Sequence, residues 1–468
     1  MRRGRGAALG LLCAGCAAGP DFQRPPPPDM KDYLPPGTAS AAGQRAAPDE
    51  KIPAQWWSLF HCARLDETLR QVIAANNTLT AARATLAQAQ EAVVQARAPL
   101  FPQVDLAATA RGGTAGAGPA LFAVGPTVSY SVDAFGGTRR RVEQQQALAG
   151  MQRYELAAAW LALTGGAVTD AIAIATIRLE IETMEDLIRN DRKNLDLVQR
   201  EFEGGKVAKS DVLTAAAQLA GDKTQLPALR QQLNVARHAL AVLSSRAPGQ
   251  WLPPEFELSE FTLPSELPLS VPSELVRQRP DILAAEALLH ADTAAIGVAT
   301  AQLYPSITLS ASLTRSADSL SGLFGSSASD VLSGGGVVEM PLFHGGALSA
   351  EREAAVDAYR AQLATWKQVV VQAFAQVADS LTALEQDGEA VATSREALDI
   401  AGASLALQRL SFTAGKTSAL QLIVAENVYS NVRLGYVRAQ GQQMSDTAQL
   451  LIAVGGGWWN VELGQPSR

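Results

Sequence analysis

The residues of this chain best suited to chemistry are few and scattered. His61, His238, His290 and His344 are the four histidines, and none stands at a metal-ligand spacing from another. No nucleophile elbow, phosphate-binding loop or paired-cysteine motif occurs beyond residue 16. The reactive pattern lies at the start: two of the three cysteines, Cys13 and Cys16, fall within "LGLLCAGCAAGPDFQRP" (9–25). Arg2, Arg3 and Arg5 precede a short apolar run from Ala7 to Leu12 and then small residues, the layout of an export signal. Ala14 and Gly15 immediately before Cys16 resemble a lipobox, where small residues admit a peptidase and a thiol takes up a diacylglycerol. Cys13 stands where leucine is usual, and an ordinary signal with incidental cysteines is the alternative. On the lipobox reading, residues 1–15 leave as signal, Cys16 is the lipid attachment point, and Cys62 is a small apolar packing residue. Ala17 and Ala18, with no Asp after Cys16, then direct the chain to the outer membrane. No cofactor and no metal are expected.

Charge narrows the partners. Lys and Arg number 39 against 46 Asp and Glu, a net charge of -7, and the longest basic tract is "TRRR" at 138–141. This balance argues against nucleic acid. No apolar stretch reaches the roughly 18 to 20 residues that a membrane-crossing helix needs, so entry into a membrane would rest on lipid or on strands.

The elements that must position any site are written twice. "NNTLTAARATLAQAQEAVVQARAPLFPQVDLAATA" (76–110) aligns without a gap on "RPDILAAEALLHADTAAIGVATAQLYPSITLSASL" (279–313), an offset of 279 − 76 = 203. "DAFGGTRR" (133–140) echoes "PLFHGGAL" (341–348), and "FEGGK" (202–206) echoes "FTAGK" (412–416). A duplicated helix, strand, strand, helix, helix unit follows. "PQVDLAATA", "TVSYSVDAF", "PSITLSASLT" and "GVVEMPLF" alternate as strands do, with Gly- and Ser-rich loops at 111–126 and 315–336. Each strand pair precedes a very long helical run. Trp160, Ala167, Ile174, Ile181, Ile188, Leu195 and Phe202 are spaced by seven, and Val212, Leu219, Leu226, Leu233 and Leu240 continue beyond the Gly204-Gly205 break. Such heptads mean coiled-coil packing, and about 65 helical residues span on the order of 100 Å.

The expected organisation is a signal (1–15), a lipidated Pro-rich tether (16–55), a first repeat (56–250), a connector (251–278), a second repeat (279–454) and a tail (455–468). In the first repeat, strands are expected at about 102–134 and a helical hairpin at about 137–245; in the second, at about 305–343 and 346–453. Four strands per chain would leave open edges in lipid, at several kcal/mol for each unpaired backbone group. Single-chain barrels start at eight strands, so three chains supplying twelve would close one. The class is therefore a mixed α/β membrane protein: a homotrimeric twelve-stranded β-barrel continuous with an α-helical tunnel.

The chain resembles the TolC-like outer-membrane factors, in the NodT-like lipoprotein branch. The residues that carry the resemblance run nearly end to end: "CAAGPDFQRP" (16–25), "WWSLF" (56–60), "LDETLRQVIAANNTLTAA" (65–82), "VDAFGGTRRR" (132–141), "LPALRQQLNVARHALAVL" (226–243), "RQRPDILAAE" (277–286), "PLFHGGAL" (341–348) and "AVGGGWW" (453–459). The resemblance implies an efflux conduit in the outer membrane of a Gram-negative bacterium, with a large periplasmic portion. Its implied partners are a periplasmic adaptor and an inner-membrane transporter of the RND type. Its cargo would be drugs or other toxic small molecules; conduits for protein or metal-ion export are the alternatives, and a structural trimeric lipoprotein is a more distant one.

By the same resemblance, the turns at Gly205-Lys206 and Gly415-Lys416 are periplasmic tips that meet the adaptor. The aperture region holds Asp211, Ser411, Phe412, Gln421 and Val424. The family commonly has acidic residues at the positions of Gln421 and Val424 and a basic one at that of Ser411, so closure by packing and neutral hydrogen bonds is expected here. Asp281 is expected to support a helix N-terminus, and the paired tryptophans of "GGGWW" (455–459) to pack with Trp56-Trp57.

Overall fold

The computed structural model describes residues 17–30, 32–33, 45–47, 52–112, 121–268 and 271–461. Cys13 and Cys16 lie outside them. In chain order the elements are β1 (Arg45–Ala47), α1 (Ala63–Ala75), α2 (Asn77–Arg97), β2 (Gln103–Arg111), β3 (Leu121–Val132), α3 (Gly137–Glu203), α4 (Lys209–Leu243), β4 (Glu266–Pro268), α5 (Pro272–Gln278), α6 (Pro280–Ala301), β5 (Ser306–Ala317), β6 (Ser329–Glu339), α7 (Ala347–Thr413) and α8 (Ala419–Ala453). The duplication is kept to the residue: α3 and α7 both have 67 residues, α4 and α8 both have 35.

The chain forms two compact units. The first comprises residues 1–26, 84–154 and 283–369. It contains an antiparallel sheet in the order β2-β3-β5-β6, so β2 and β6 are open edges. Every residue of β2 and β6 is exposed, on both faces of the sheet, and Val104, Leu106, Leu309, Leu313, Val331, Leu332, Val337 and Val338 are among the exposed apolar residues. Strand β3 begins at Leu121, inside the stretch expected to be loop, and carries Gly125 and Pro126 through its ladder with β2. The glycine serves close approach rather than a turn: a Cβ there would sit 1.8 Å from the Leu313 carbonyl oxygen. Likewise β5 runs to Ala317 and β6 starts at Ser329, shortening the second loop.

The same unit corrects the picture of a free tether. Residues 17–26 are extended and lie along α6 and the start of α3. Ala18 N donates to the Phe135 carbonyl (2.9 Å). Gly19, at φ +82°, crosses Gly297 so closely that a Cβ on Gly19 would stand 2.5 Å from the Gly297 Cα. Arg140, only 5% exposed, donates to the carbonyls of Ala18 (3.0 Å) and Gly19 (3.4 Å) and to Asp21 (2.6 Å). The Phe22 ring stacks on His290 at 4.4 Å, His290 meets Glu143 at 2.9 Å, and Arg24 pairs with Glu286 at 2.7 Å. A polar, proline-rich segment reads as linker because its partners are supplied by residues more than a hundred positions away.

The second unit comprises residues 27–83, 155–282 and 370–468. Its heptad seam is buried from Trp160 through Ala167, Ile174 and Ile188, and the return seam through Val212, Leu219, Leu233 and Leu240. The seam ends before Phe202, which is exposed under the Lys209 ammonium 5.2 Å from its ring centroid. Trp56, fully buried, bonds Thr164 Oγ1 through its indole N–H (3.3 Å) and lies beside Gly456. Gly456 thus meets Trp56, while the Trp458 indole donates to the Gln278 carbonyl (2.7 Å).

Duplicated positions also tie the helix ends. Asn76 Nδ2 donates to the carbonyl of Leu243, the last residue of α4 (2.8 Å), while its Oδ1 accepts from Leu79 N (2.8 Å) at the start of α2. At the equivalent position, Arg279 donates to the carbonyl of Ala453, the last residue of α8 (2.8 Å), to Gln376 (2.8 Å) and to both oxygens of Asp281 (2.7 and 3.0 Å). Asp281 Oδ1 in turn accepts from Ile282 N (2.9 Å). Orphan carbonyls at helix ends call for such donors.

Two helices do reach the hydropathy of membrane spans, against the sequence expectation: windows within α3 and α6 average 1.5 and 1.4. Of those windows 61% and 56% is buried within the protein, so alanine-rich packing faces account for the apolar runs.

Candidate functional site: the hairpin turns and the aperture region

Both hairpins reverse through five residues, 204–208 and 414–418, with the same hydrogen bonds. Gly205 N and Lys206 N donate to the carbonyls of Phe202 (2.9 Å) and Glu201 (2.8 Å); Gly415 N and Lys416 N donate to those of Phe412 (2.9 Å) and Ser411 (2.9 Å). Gly205 at φ +73° and Gly415 at φ +68° occupy the left-handed region that lets a helix end this way. Both glycines and both lysines are exposed.

The following helices start differently in the two copies. Asp211 is the N-terminal acceptor of α4, taking a bond from Ala208 N (3.1 Å). In α8 that role passes to Ser418, whose Oγ accepts from Gln421 N (3.4 Å). Asp211, expected in the aperture region, caps the start of α4 with its carboxylate.

The two turns are packed together. Val198, Val212, Ala215, Ala419 and Ile423 form one apolar cluster, with Val207 and Phe412 against it. Gln421 and Val424 share a hollow of about 370 Å³ with Gln408, Leu420 and Val428. Its lining is neutral. Ser411 is half-buried on α7.

Behind this neutral face lies charge that sequence reasoning missed. Glu426, 7% exposed, accepts from Asn194 Nδ2 on α3 (2.7 Å) and from Arg409 on α7 (3.0 Å). Arg409 stands two positions before Ser411 on α7. Arg433 reaches Asp186 (3.3 Å) and Arg438 reaches Glu180 (2.9 Å), linking α8 to α3 twice more. Deeper still, Asp191 on α3 faces Asp222 on α4, both buried. Asp222 accepts from Gln218 (2.8 Å) and Gln225 (3.3 Å), while Asp191 Oδ2 meets no donor. Burial and then the neighbouring Asp222 carboxyl, with Glu426 beyond, push the Asp191 carboxyl up to about 7. A second acid pair, Asp387 with Asp446, joins α7 to α8, and burial and then the partner carboxyl likewise push the Asp387 carboxyl up to about 7.

Comparison with known proteins agrees with this architecture. The family model for outer membrane efflux proteins matches residues 68–245 and 271–456. Nodulation protein T of Rhizobium leguminosarum bv. viciae is 28% identical, over 98% of this chain and 94% of its own. The pyoverdine export outer membrane protein OpmQ of Pseudomonas aeruginosa is 28% identical, over 89% and 90%. Among solved structures, the outer-membrane channel OprN superposes with a TM-score of 0.85 at 26% identity, covering 95% of this chain and all of that one. The Campylobacter jejuni channel CmeC, at 18% identity and a TM-score of 0.85, shares the fold across 94% and 95%. A duplicated unit of paired strands and equal-length helical hairpins, matched over both repeats, places the chain in the outer membrane efflux protein family, as an outer-membrane efflux channel.

Proposed function

We propose that three copies of this chain form the outer-membrane conduit of a tripartite efflux assembly, fed by an inner-membrane transporter of the RND type through a periplasmic adaptor. The observation that carries this reading is the four-stranded sheet whose edge strands β2 and β6 are unpaired and whose faces expose valine and leucine. Such edges are untenable in lipid, and three copies supply 3 × 4 = 12 strands, enough for a closed barrel. Cys16 is the lipidated residue. Gly205, Lys206, Gly415 and Lys416 form the surface that the adaptor meets. The neutral lining at Gln421 and Val424 closes the aperture by packing, with the Arg409–Glu426 link holding its helices in place behind.

The conduit carries its cargo without a tight binding site, since solutes must also leave. Relatives named for pyoverdine, cation and solvent export share the architecture, which puts cargo choice in the transporter. The test is a strain lacking this gene, challenged with antibiotics, dyes, solvents and metal ions while its secreted proteins are profiled. Hypersensitivity reversed by the intact gene supports small-molecule efflux. Unchanged susceptibility with a missing secreted protein would replace that reading with protein export.

A further inference from the structure

Duplication makes the first unit a template for its own contact with another copy. Helices α2 and α6 correspond at the offset of the strands that follow them, 306 − 103 = 203. Helices α3 and α7 correspond at 347 − 137 = 210, and their last residues keep the same offset, 413 − 203 = 210. Within the chain, α3 meets α6 at three places. A Cβ on Gly137 would stand 2.9 Å from the Ala301 Cβ, one on Gly297 would stand 2.7 Å from the Arg140 Cγ, and Glu143 meets His290 at 2.9 Å. None of these six residues is exposed. Their equivalents are Ala347, Ala350 and Glu353 on α7, and Ala98, Val94 and Ala87 on and just after α2; all six are exposed, Val94 at 59%. A surface covered in one repeat is therefore bare in the other, on the helices that adjoin the open edges β6 and β2.

We propose that these two bare faces meet between copies, α7 of one copy packing on α2 of the next as α3 packs on α6, with Val94 of the second copy seated on Ala350. Resting on the trimer proposed above, this says how its copies join. Two features favour a second copy over any other occupant. The sizes are exchanged in register: glycine opposite arginine within the chain becomes valine opposite alanine between copies, so the larger side chain moves to the other helix and the gap is filled. The same step also joins the open edges, turning the pairs Val128↔Ala311 and Tyr130↔Leu309 into Val338↔Ala108 and Met340↔Leu106. Glu339 then faces Ala107, whereas a slip of two residues would set it against Asp105, a like charge. The exchange sorts the grooves as well. Residues 17–26 dock where Gly297 leaves room for Gly19 and Arg140 donates to the carbonyls of Ala18 and Gly19. Val94 fills that room and Ala350 brings no donor, so the groove between copies closes helix on helix.

The experiment combines Val94→Cys with Ala350→Cys in the full chain and oxidises the outer membranes with copper phenanthroline. In the in-chain counterpart the 2.7 Å contact is made by Arg140 Cγ, one bond beyond its Cβ, so Cβ atoms at the two positions come within the roughly 3.5–4.5 Å that a disulfide spans. The expected result is a reductant-sensitive band of up to three linked chains on denaturing gels, with the 94–350 disulfide found by mass spectrometry and lost in either single variant. Links formed instead by Val94→Cys with Ala354→Cys, one helical turn along α7, would overturn this packing. So would a trimer by native mass in which neither pair links, and both results leave the trimer standing. A chain that is monomeric by native mass and forms no link would overturn both. Hydrogen exchange of the peptide containing Ala18 should be unchanged by the link; faster exchange there would put the N-terminal segment in the groove between copies.

Discussion

Substituting Gly297 by alanine separates two opposed effects. Gly297 lies inside α6, and in a helix interior alanine is favoured over glycine by about 0.8–1 kcal/mol. Local propensity therefore predicts a tighter helix and a more stable channel. Packing predicts the reverse, because the new methyl would lie 2.8 Å from the Ala18 carbonyl oxygen and 2.7 and 2.9 Å from the Arg140 Cγ and Cδ. Backbone on one side and a buried side chain on the other leave little room to yield, so the docked segment must lift. Lifting breaks the Arg140 bonds to Ala18, Gly19 and Asp21. Asp21 is 91% exposed and contributes little. The cost comes from a buried guanidinium left without its carbonyls, about 1–3 kcal/mol. At about 1.4 kcal/mol per tenfold, local opening of residues 17–26 should become roughly 5- to 150-fold more frequent. Hydrogen exchange in detergent, read on the peptide that contains Ala18, measures this directly, and exchange in β3 and β5 serves as the internal reference. Unchanged or slower exchange at Ala18 together with a higher unfolding temperature would show that propensity wins and that the segment is not held as described.

Three further outcomes follow from the second unit. Because the folded chain keeps the Asp191 proton up to about pH 7, while an unfolded Asp loses its proton near pH 4, stability is full in acid and falls as pH rises between those values; Asp191→Asn should remove this fall, leaving α3 and α4 more stable than the parent at pH 8 and no more stable at pH 4, by hydrogen exchange of their amides. Arg279→Ala removes a charged donor from the Ala453 carbonyl and should cost about 1.5–3 kcal/mol in thermal unfolding, against about 0.5–1.5 kcal/mol for Asn76→Ala at the equivalent neutral bond to Leu243; equal costs would deny the charge its part. With Gln421 and Val424 at the hollow, single-channel recordings of the closed channel should rise with salt no faster than bulk conductivity, whereas a steeper rise would place ionic links at the aperture.

Much of this architecture can be read from the chain because its signals are periodic or repeated. Of the seven-spaced positions from Trp160 to Ile188, all are buried but Ile181, which is half-buried, and the echo of "FEGGK" in "FTAGK" locates both reversals. What escapes reading is pairing over distance. Asn194 meets Glu426 across 232 positions and Arg24 meets Glu286 across 262, and no local spacing marks either partner. The start of β3 escapes for another reason. Gly125 and Pro126 punctuate the sequence like a turn, yet the glycine is there because the Leu313 carbonyl occupies the space a side chain would need. Asp211 illustrates the limit of a residue-type argument, since a carboxylate beside a tip can cap a helix as well as lock an aperture.

The equality of the hairpins, 67 and 35 residues in each copy, acts as a ruler held in duplicate. An insertion of one heptad in α3 alone would move its turn by about 10 Å along the helix axis, carrying Val198 and Val212 away from Ala419 and Ile423. Length can therefore change in this protein only by coordinated edits at four sites, one in each arm of both hairpins. Evolution has a gear train to re-cut here rather than a single rod to trim.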